Sequence, residues 1–140
     1  SIYENIVYGS AHPRPTKAQV SEFIRQAGVQ PLFDTVPRGL DTSAGRRGEH
    51  LSGGQRQAVV VLRMALADKD KPIVLLDEPT SALDTESKHY VMRLLRTLMR
   101  DRTCIMVTHD TELLDVVQRV VEFRGGIIVE KETRATQPAF

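Results

Sequence analysis

The sequence holds a single cysteine, Cys104, in 140 residues, so no disulfide can close within the chain. Set in an apolar run, that thiol is expected to be a small core residue rather than a reactive group. No apolar stretch nears the roughly 18 to 20 residues that span a bilayer. The longest, Ala58 to Leu62, is stopped by Arg63. The first residues show no basic-then-apolar leader pattern, and a cytosolic setting fits. Neither sign of charge is in excess: 19 basic and 18 acidic side chains give a net charge of +1. That balance supplies no bulk reason to expect nucleic acid or acidic lipid as a partner. There is no internal repeat, basic patch or coiled-coil heptad run. What remains is an ordinary soluble composition, 41% hydrophobic and 26% charged. At one-domain size such a chain can bury about two thirds of its unfolded surface.

The stretch that organises the chain is Leu51-Ser-Gly-Gly-Gln-Arg-Gln57. Ser52 is a good helix N-cap, and Gln55 three residues on completes a capping box. Gly53 and Gly54 then occupy the first helical positions, where each costs roughly 1 kcal/mol against alanine. Glycine there leaves the backbone amides approachable, as an anion site requires. The same pattern also describes a plain glycine-rich capped turn. The helix it opens is predicted from Ser52 to Ala67, apolar nearly all round and therefore largely buried.

Other elements follow from periodicity. Ile2, Ile6 and Val7 can form one side of a short helix. Thr16, with Gln19 three residues on, caps a second helix whose stripe is Val20, Phe23, Ile24 and Ala27, ending at Gly28. Pro31 to Val36 suggests a further helical turn, and Pro37 to Glu49 a polar loop. Ile73 to Asp77 and Thr103 to Val107 do not alternate, which suits parallel strands covered on both faces. Between them a helix from Thr85 to about Arg100 carries Val91, Leu94, Leu95, Leu98 and Met99 on the face towards the sheet. Asp110 and Glu112 open a short helix, and Gly125-Gly126 joins Val120–Phe123 to Ile127–Val129 as a hairpin. Asp68 to Lys71 reads as a charged turn.

Strand, helix, strand in this order implies an α/β fold with a parallel sheet and right-handed crossovers. Ligands collect at the carboxyl ends of such strands, where Asp77, Glu78 and His109 fall. A carboxylate ending an apolar strand is costly unless something offsets it, and a Mg²⁺ ion would do so. Read plainly, these are a cap or surface acid, a loop acid and a satisfied histidine.

The succession LSGGQRQ, then Ile73-Val-Leu-Leu-Asp-Glu-Pro-Thr-Ser-Ala-Leu-Asp84, then a strand leading to Thr108-His109-Asp110 resembles the nucleotide-binding domain of ABC ATPases. Ser1 to Gly9, reading SIYENIVYG, resembles a segment of the exporter branch. The resemblance implies a partial P-loop NTPase-like domain: a parallel core sheet flanked by helices, a helical signature subdomain and a C-terminal β-hairpin. It divides the chain into a helical subdomain at 1–67, the C-terminal part of the ATPase core at 68–131 and a flexible tail at 132–140. It implies ATP and Mg²⁺ as cofactors, with Asp77 at the metal. Glu78 would be the base that orients or deprotonates the attacking water, and His109 the switch residue at the γ-phosphate. Ser52, Gly53, Gly54 and Gln55 would bind nucleotide in trans, and Ser81, Ala82, Leu83 and Asp84 match the D-loop at a dimer interface. The implied partners are a second nucleotide-binding domain, head to tail, and the transmembrane domains of a transporter. The implied place is the cytoplasmic face of a membrane. Thr42 to Gly48, TSAGRRG, departs from the exporter loop at Ala44 and at Arg46. The second change replaces an acid that helps contact the membrane domain, and puts that contact in doubt.

No G-x-x-x-x-G-K-[ST] occurs anywhere in the sequence, so the α- and β-phosphates have no cradle and no lysine within it. The chain thus matches the C-terminal portion of the domain, and alone it is expected to bind ATP weakly without turnover. Its sheet must keep a gap, close across it or borrow a strand. Two other readings stand beside the transporter: a soluble ABC ATPase of DNA repair or chromosome maintenance, and a non-catalytic module that dimerises and donates its signature.

Overall fold

The computed structural model describes residues 1–10, 12–67, 72–100 and 102–131. The expected charged turn at Asp68 to Lys71 and the expected tail at 132–140 lie outside the described residues. The chain forms two compact units, 1–107 and 108–140.

The first unit runs α1 (Ile2–Ile6), α2 (Lys17–Gln26), α3 (Pro31–Asp34), short 3-10 turns at Gly39–Asp41 and Arg46–Gly48, α4 (Gly53–Leu66), β1 (Ile73–Asp77), α5 (Thr85–Met99) and β2 (Thr103–Val107). Each longer helix starts where its cap residue dictates. Thr16 and Ser52 close full capping boxes with Gln19 and Gln55, and Asp84 accepts from the Ser87 amide. Its core lies largely between helices. Ala58, Val61 and Leu62 of α4 are buried, as are Val91, Leu94 and Leu95 of α5 and Ile2, Ile6 and Val7 of the first segment. Each such aliphatic side chain contributes about 1.5–3 kcal/mol when fully removed from water. Arg63 fastens α4 to α1, donating from Nε to the Asn5 carbonyl at 2.5 Å and from Nη2 to Asn5 Oδ1 at 3.2 Å. Arg102 reaches back to the end of α4 and donates to the carbonyls of Met64 and Ala67, which have no partner within the helix.

β1 and β2 pair in parallel, with Ile73 opposite Thr103 and Asp77 opposite Val107. The expected burial on both faces is not what the strands do. Val74 and Leu76 are buried, but Ile73 and Leu75 are 61% and 72% exposed, and Ile105 and Val107 on the same face are 56% and 61% exposed. An apolar run that would suit a two-sided core thus alternates in burial. Cys104 lies on the covered side and is half-buried, and burial pushes its thiol pKa up, consistent with a packing role. α4 likewise departs from all-round burial at Val60, which is 41% exposed.

The second unit holds a 3-10 turn (Thr111–Val116), β3 (Val120–Arg124) and β4 (Ile127–Lys131). β3 and β4 form the expected antiparallel hairpin, with Arg124 opposite Ile127. The two-residue turn places Gly125 at φ 53° and Gly126 at φ 81°, as a tight primed turn requires. The hairpin is a two-stranded sheet of its own. Phe123, Ile127 and Ile128 are exposed.

Candidate functional site

The start of α4 is built by its own sequence. Ser52 is exposed and extended, and its Oγ accepts from the Gln55 amide at 3.2 Å. Gln55 returns the bond, its Oε1 accepting from the Ser52 amide at 2.9 Å. The hydroxyl has thus used one acceptor position and keeps its proton for another partner. The amides of Gly53 and Gly54 belong to the first turn, where no carbonyl of the helix can meet them.

The two glycines differ. A Cβ at Gly53 would make only ordinary contacts, 3.7 Å to Leu83 and 3.8 Å to the Ala82 carbonyl. One at Gly54 would lie 2.5 Å from Ser87 Cβ and nearer still to its Oγ, far inside van der Waals distance. Gly54 is buried, and close helix packing by itself accounts for its lack of a side chain. Gln55 is also buried, and its amide group is fully engaged. Besides the capping box, Nε2 donates to the Leu32 carbonyl at 2.9 Å and to Thr35 Oγ1 at 3.2 Å. Of the four residues expected to face a nucleotide, Ser52 and Gly53 therefore carry the reachable surface.

Two residues missed by sequence reasoning support this point. Ser87 is buried on α5, and a small residue three positions after a capping Asp84 was the available signal. Arg56 donates from Nη1 to the Leu51 carbonyl at 2.6 Å and to the Gly48 carbonyl at 3.4 Å. It thereby clamps the preceding loop, in which Arg47 sits at φ 58°. A Cβ at Gly48 would meet Arg56 Cδ at 2.8 Å, so that clamp needs glycine.

At the other end of the unit, Asp77 closes β1 and Glu78 follows it in a left-handed conformation, φ 44°. The Glu78 amide donates to the Val107 carbonyl at 2.9 Å, and its carbonyl accepts from Ser81 at 3.1 Å. Its position is therefore fixed from both sides. Asp77 lies on the exposed face beside Leu75, so it carries no burial cost for a cation to offset. The loop that follows buries Pro79 and Thr80 and holds Ala82 at φ 58°. A non-glycine residue there costs on the order of 1–3 kcal/mol. Asp84 ends the loop as the N-cap of α5. The Ser87 amide hydrogen bond, foremost, holds its carboxyl below the usual range. His109 belongs to the second unit. It stands exposed, next to Asp110, which accepts from the Glu112 amide at 3.1 Å and opens the 3-10 turn. No cluster of three potential metal ligands occurs among the described residues. Two adjacent carboxylates still suit Mg²⁺, which takes one or two protein oxygens and fills the rest of its shell with water or phosphate.

The pattern of an AAA-domain family, described as "AAA domain, putative AbiEii toxin, Type IV TA system", matches residues 42–115. The chain belongs to that AAA-domain family. It is also similar to the ATP-dependent lipid A-core flippases of Neisseria gonorrhoeae, with 41% identity over 133 residues, and of Psychrobacter arcticus, with 39% over 136 residues. These matches take in 95% and 96% of this chain but 21% and 22% of the relatives. The chain thus spans about a fifth of the length of the curated relatives it matches. Among solved structures, a bacterial Atm1-family ABC exporter with ATP bound superposes with a TM-score of 0.72 at 30% identity, over 90% of this chain and 22% of that one. Over nearly all of its own length the chain is thus similar to one part of ABC exporters and ATP-dependent flippases.

Proposed function

We propose that residues 1–140 act as part of an ATP-binding and ATP-hydrolysing domain that drives export across a membrane. The observation that carries this reading is the placement of Asp77 and Glu78 at the tip of β1, with Glu78 held left-handed by its own backbone bonds. Identity of about 40% to proteins named as ATP-dependent flippases supports it. Glu78 orients the attacking water and takes its proton as the water oxygen bonds to the γ-phosphorus and the β–γ bridging bond breaks. His109 contacts the γ-phosphate. Asp77 would hold Mg²⁺, which when bound would neutralise phosphate charge. The Ser52 hydroxyl and the Gly53 amide donate to the triphosphate held by a second, head-to-tail domain, with Gly54 packed beneath them against Ser87. Gln55 serves that surface by fixing it. Ser81 to Asp84 lie along the interface of the two domains.

In this reading residues 1–67 are the helical signature part and 68–131 belong to the ATPase core. The partners are the second domain and transmembrane domains, at the cytoplasmic face. No helix of the described residues is long and apolar enough to cross a membrane. For residues 1–140 alone, signature donation without turnover is the second reading, because the sequence has no Lys-Ser/Thr phosphate loop.

A graft tests the proposal. Residues 1–140 replace the matching stretch of a lipid A-core flippase, and phosphate release from Mg·ATP is followed. Turnover is expected in the graft, with a loss of at least about 100-fold in its Glu78→Gln form. Equal turnover in both would refute the role of Glu78.

A further inference from the structure

We propose that Gly54 and Ser87 form a positioning pair that locks the start of α4 to the loop Ser81–Asp84, so that the two present one surface to a bound partner. The proposal rests on the nucleotide reading for its purpose, not for its geometry. The contact leaves no slack: any Cβ at Gly54 would fall within 3.0 Å of both side-chain atoms of Ser87, with Leu32 Cδ2 at 3.5 Å on another side. Ser87 is itself buried, and its amide donates to Asp84 Oδ1 at 2.9 Å. Asp84 is the last residue of the loop. A displacement of α4 along this contact therefore passes through Ser87 to the cap and from the cap to the loop.

The loop is suited to respond. Ala82 is strained at φ 58°, and a Cβ added at Gly53 would stand at ordinary contact distance from its carbonyl and from Leu83. Gln55 pins the same turn of α4 to α3 through Leu32 and Thr35, which opposes a roll of α4 away from α5. The surface formed by the Ser52 hydroxyl and the Gly53 amide thus has its height over the loop set by the thickness of one side chain, that of Ser87. Glycine at position 54 is needed for α5, whatever else approaches its backbone from outside.

The test is a size exchange read by amide chemical shifts in the full chain, without nucleotide. Gly54→Ala is expected to move the amides of Ser52, Gly53 and Ser81 to Leu83 together. Adding Ser87→Gly, which removes both opposing atoms, is expected to return them towards wild type. Ser87→Gly alone should loosen the pair and raise amide exchange across Ser81 to Leu83 by about tenfold. Shifts confined to residues 53–55 and 86–88, or a double variant no closer to wild type than Gly54→Ala, would overturn the proposal. If Gly54→Ala alone does not fold, recovery of a folded spectrum in the double variant supports the pair and its absence counts against it. Because no nucleotide is present, this result and the grafted ATPase can fail independently.

Discussion

Replacing Gln55 separates a residue that contacts ligand from one that holds the scaffold. Gln55→Ala removes the acceptor for the Ser52 amide and the donor to the Leu32 carbonyl and Thr35 Oγ1. Half of a capping box contributes about 1 kcal/mol. A buried carbonyl left without its donor costs about 1–3 kcal/mol more. The expected loss is about 2–4 kcal/mol, or roughly 10 °C in Tm for a chain of this size, read by urea and thermal melts of the helix signal. Gln55→Glu sharpens the test. It keeps an oxygen for the Ser52 amide but, when ionised, turns a second oxygen against the Leu32 carbonyl. Burial raises the pKa of such a carboxyl above its unfolded value of about 4.3. A raised folded pKa gives stability that is present below the unfolded value and lost as pH rises through the folded one. Relative to wild type, the Glu variant is therefore expected to be most stable near pH 4 and to weaken towards neutrality. A side chain kept only to touch a nucleotide would predict little change without nucleotide. An Ala variant within about 0.5 kcal/mol of wild type would refute the scaffold argument.

Other substitutions test neighbouring features. Leu76→Ala, at a side chain 6% exposed, is expected to cost about 2–5 kcal/mol by cavity formation. Leu75→Ser, 72% exposed on the opposite face, is expected to cost about 0.5 kcal/mol or less and to reduce self-association in light scattering, since it interrupts a bare apolar sheet face. Asp84 has its pKa lowered by the Ser87 bond, so its contribution is present above about pH 4 and lost as pH falls through the lower folded value. Asp84→Asn, which caps without titrating, should flatten that part of the acid-melting profile. Arg56→Ala releases the Gly48 and Leu51 carbonyls and should raise protease cleavage within residues 45–51, whereas Arg56→Lys restores protection only in part because it lacks the fork.

Most of the fold was legible because local chemistry and tertiary outcome agree. The Thr16 and Ser52 capping boxes, the Asp84 cap, the apolar stripe of α5 and the Gly125-Gly126 turn all depend on interactions within a few residues. The strands were misread for a different reason. Ile73 to Leu76 is a continuous apolar run, and such a run reports what a strand can tolerate, not what packs on it. How far Leu75 is covered depends on elements brought from elsewhere, and it is left 72% exposed. Asp77 shares the exposed face of β1, so it needs no cation to offset burial.

The candidate site shows the same division more sharply. Two adjacent glycines after a capping serine form one motif in the sequence, with one expected purpose. In the structure each has its own reason. Gly53 has room for a side chain, and no packing constraint in the chain demands glycine there; Gly54 has no room, because Ser87 fills the space from a helix thirty-odd positions further along. Spacing alone could not separate them, since the deciding contact joins residues far apart in sequence. The functional surface is thus narrower than the motif. What remains reachable is the Ser52 hydroxyl and the Gly53 amide, with Gln55 and Ser87 packed beneath them. If a triphosphate is gripped there, strength of binding comes from Ser52 and the backbone, while the accuracy of its placement comes from Gln55 and Ser87.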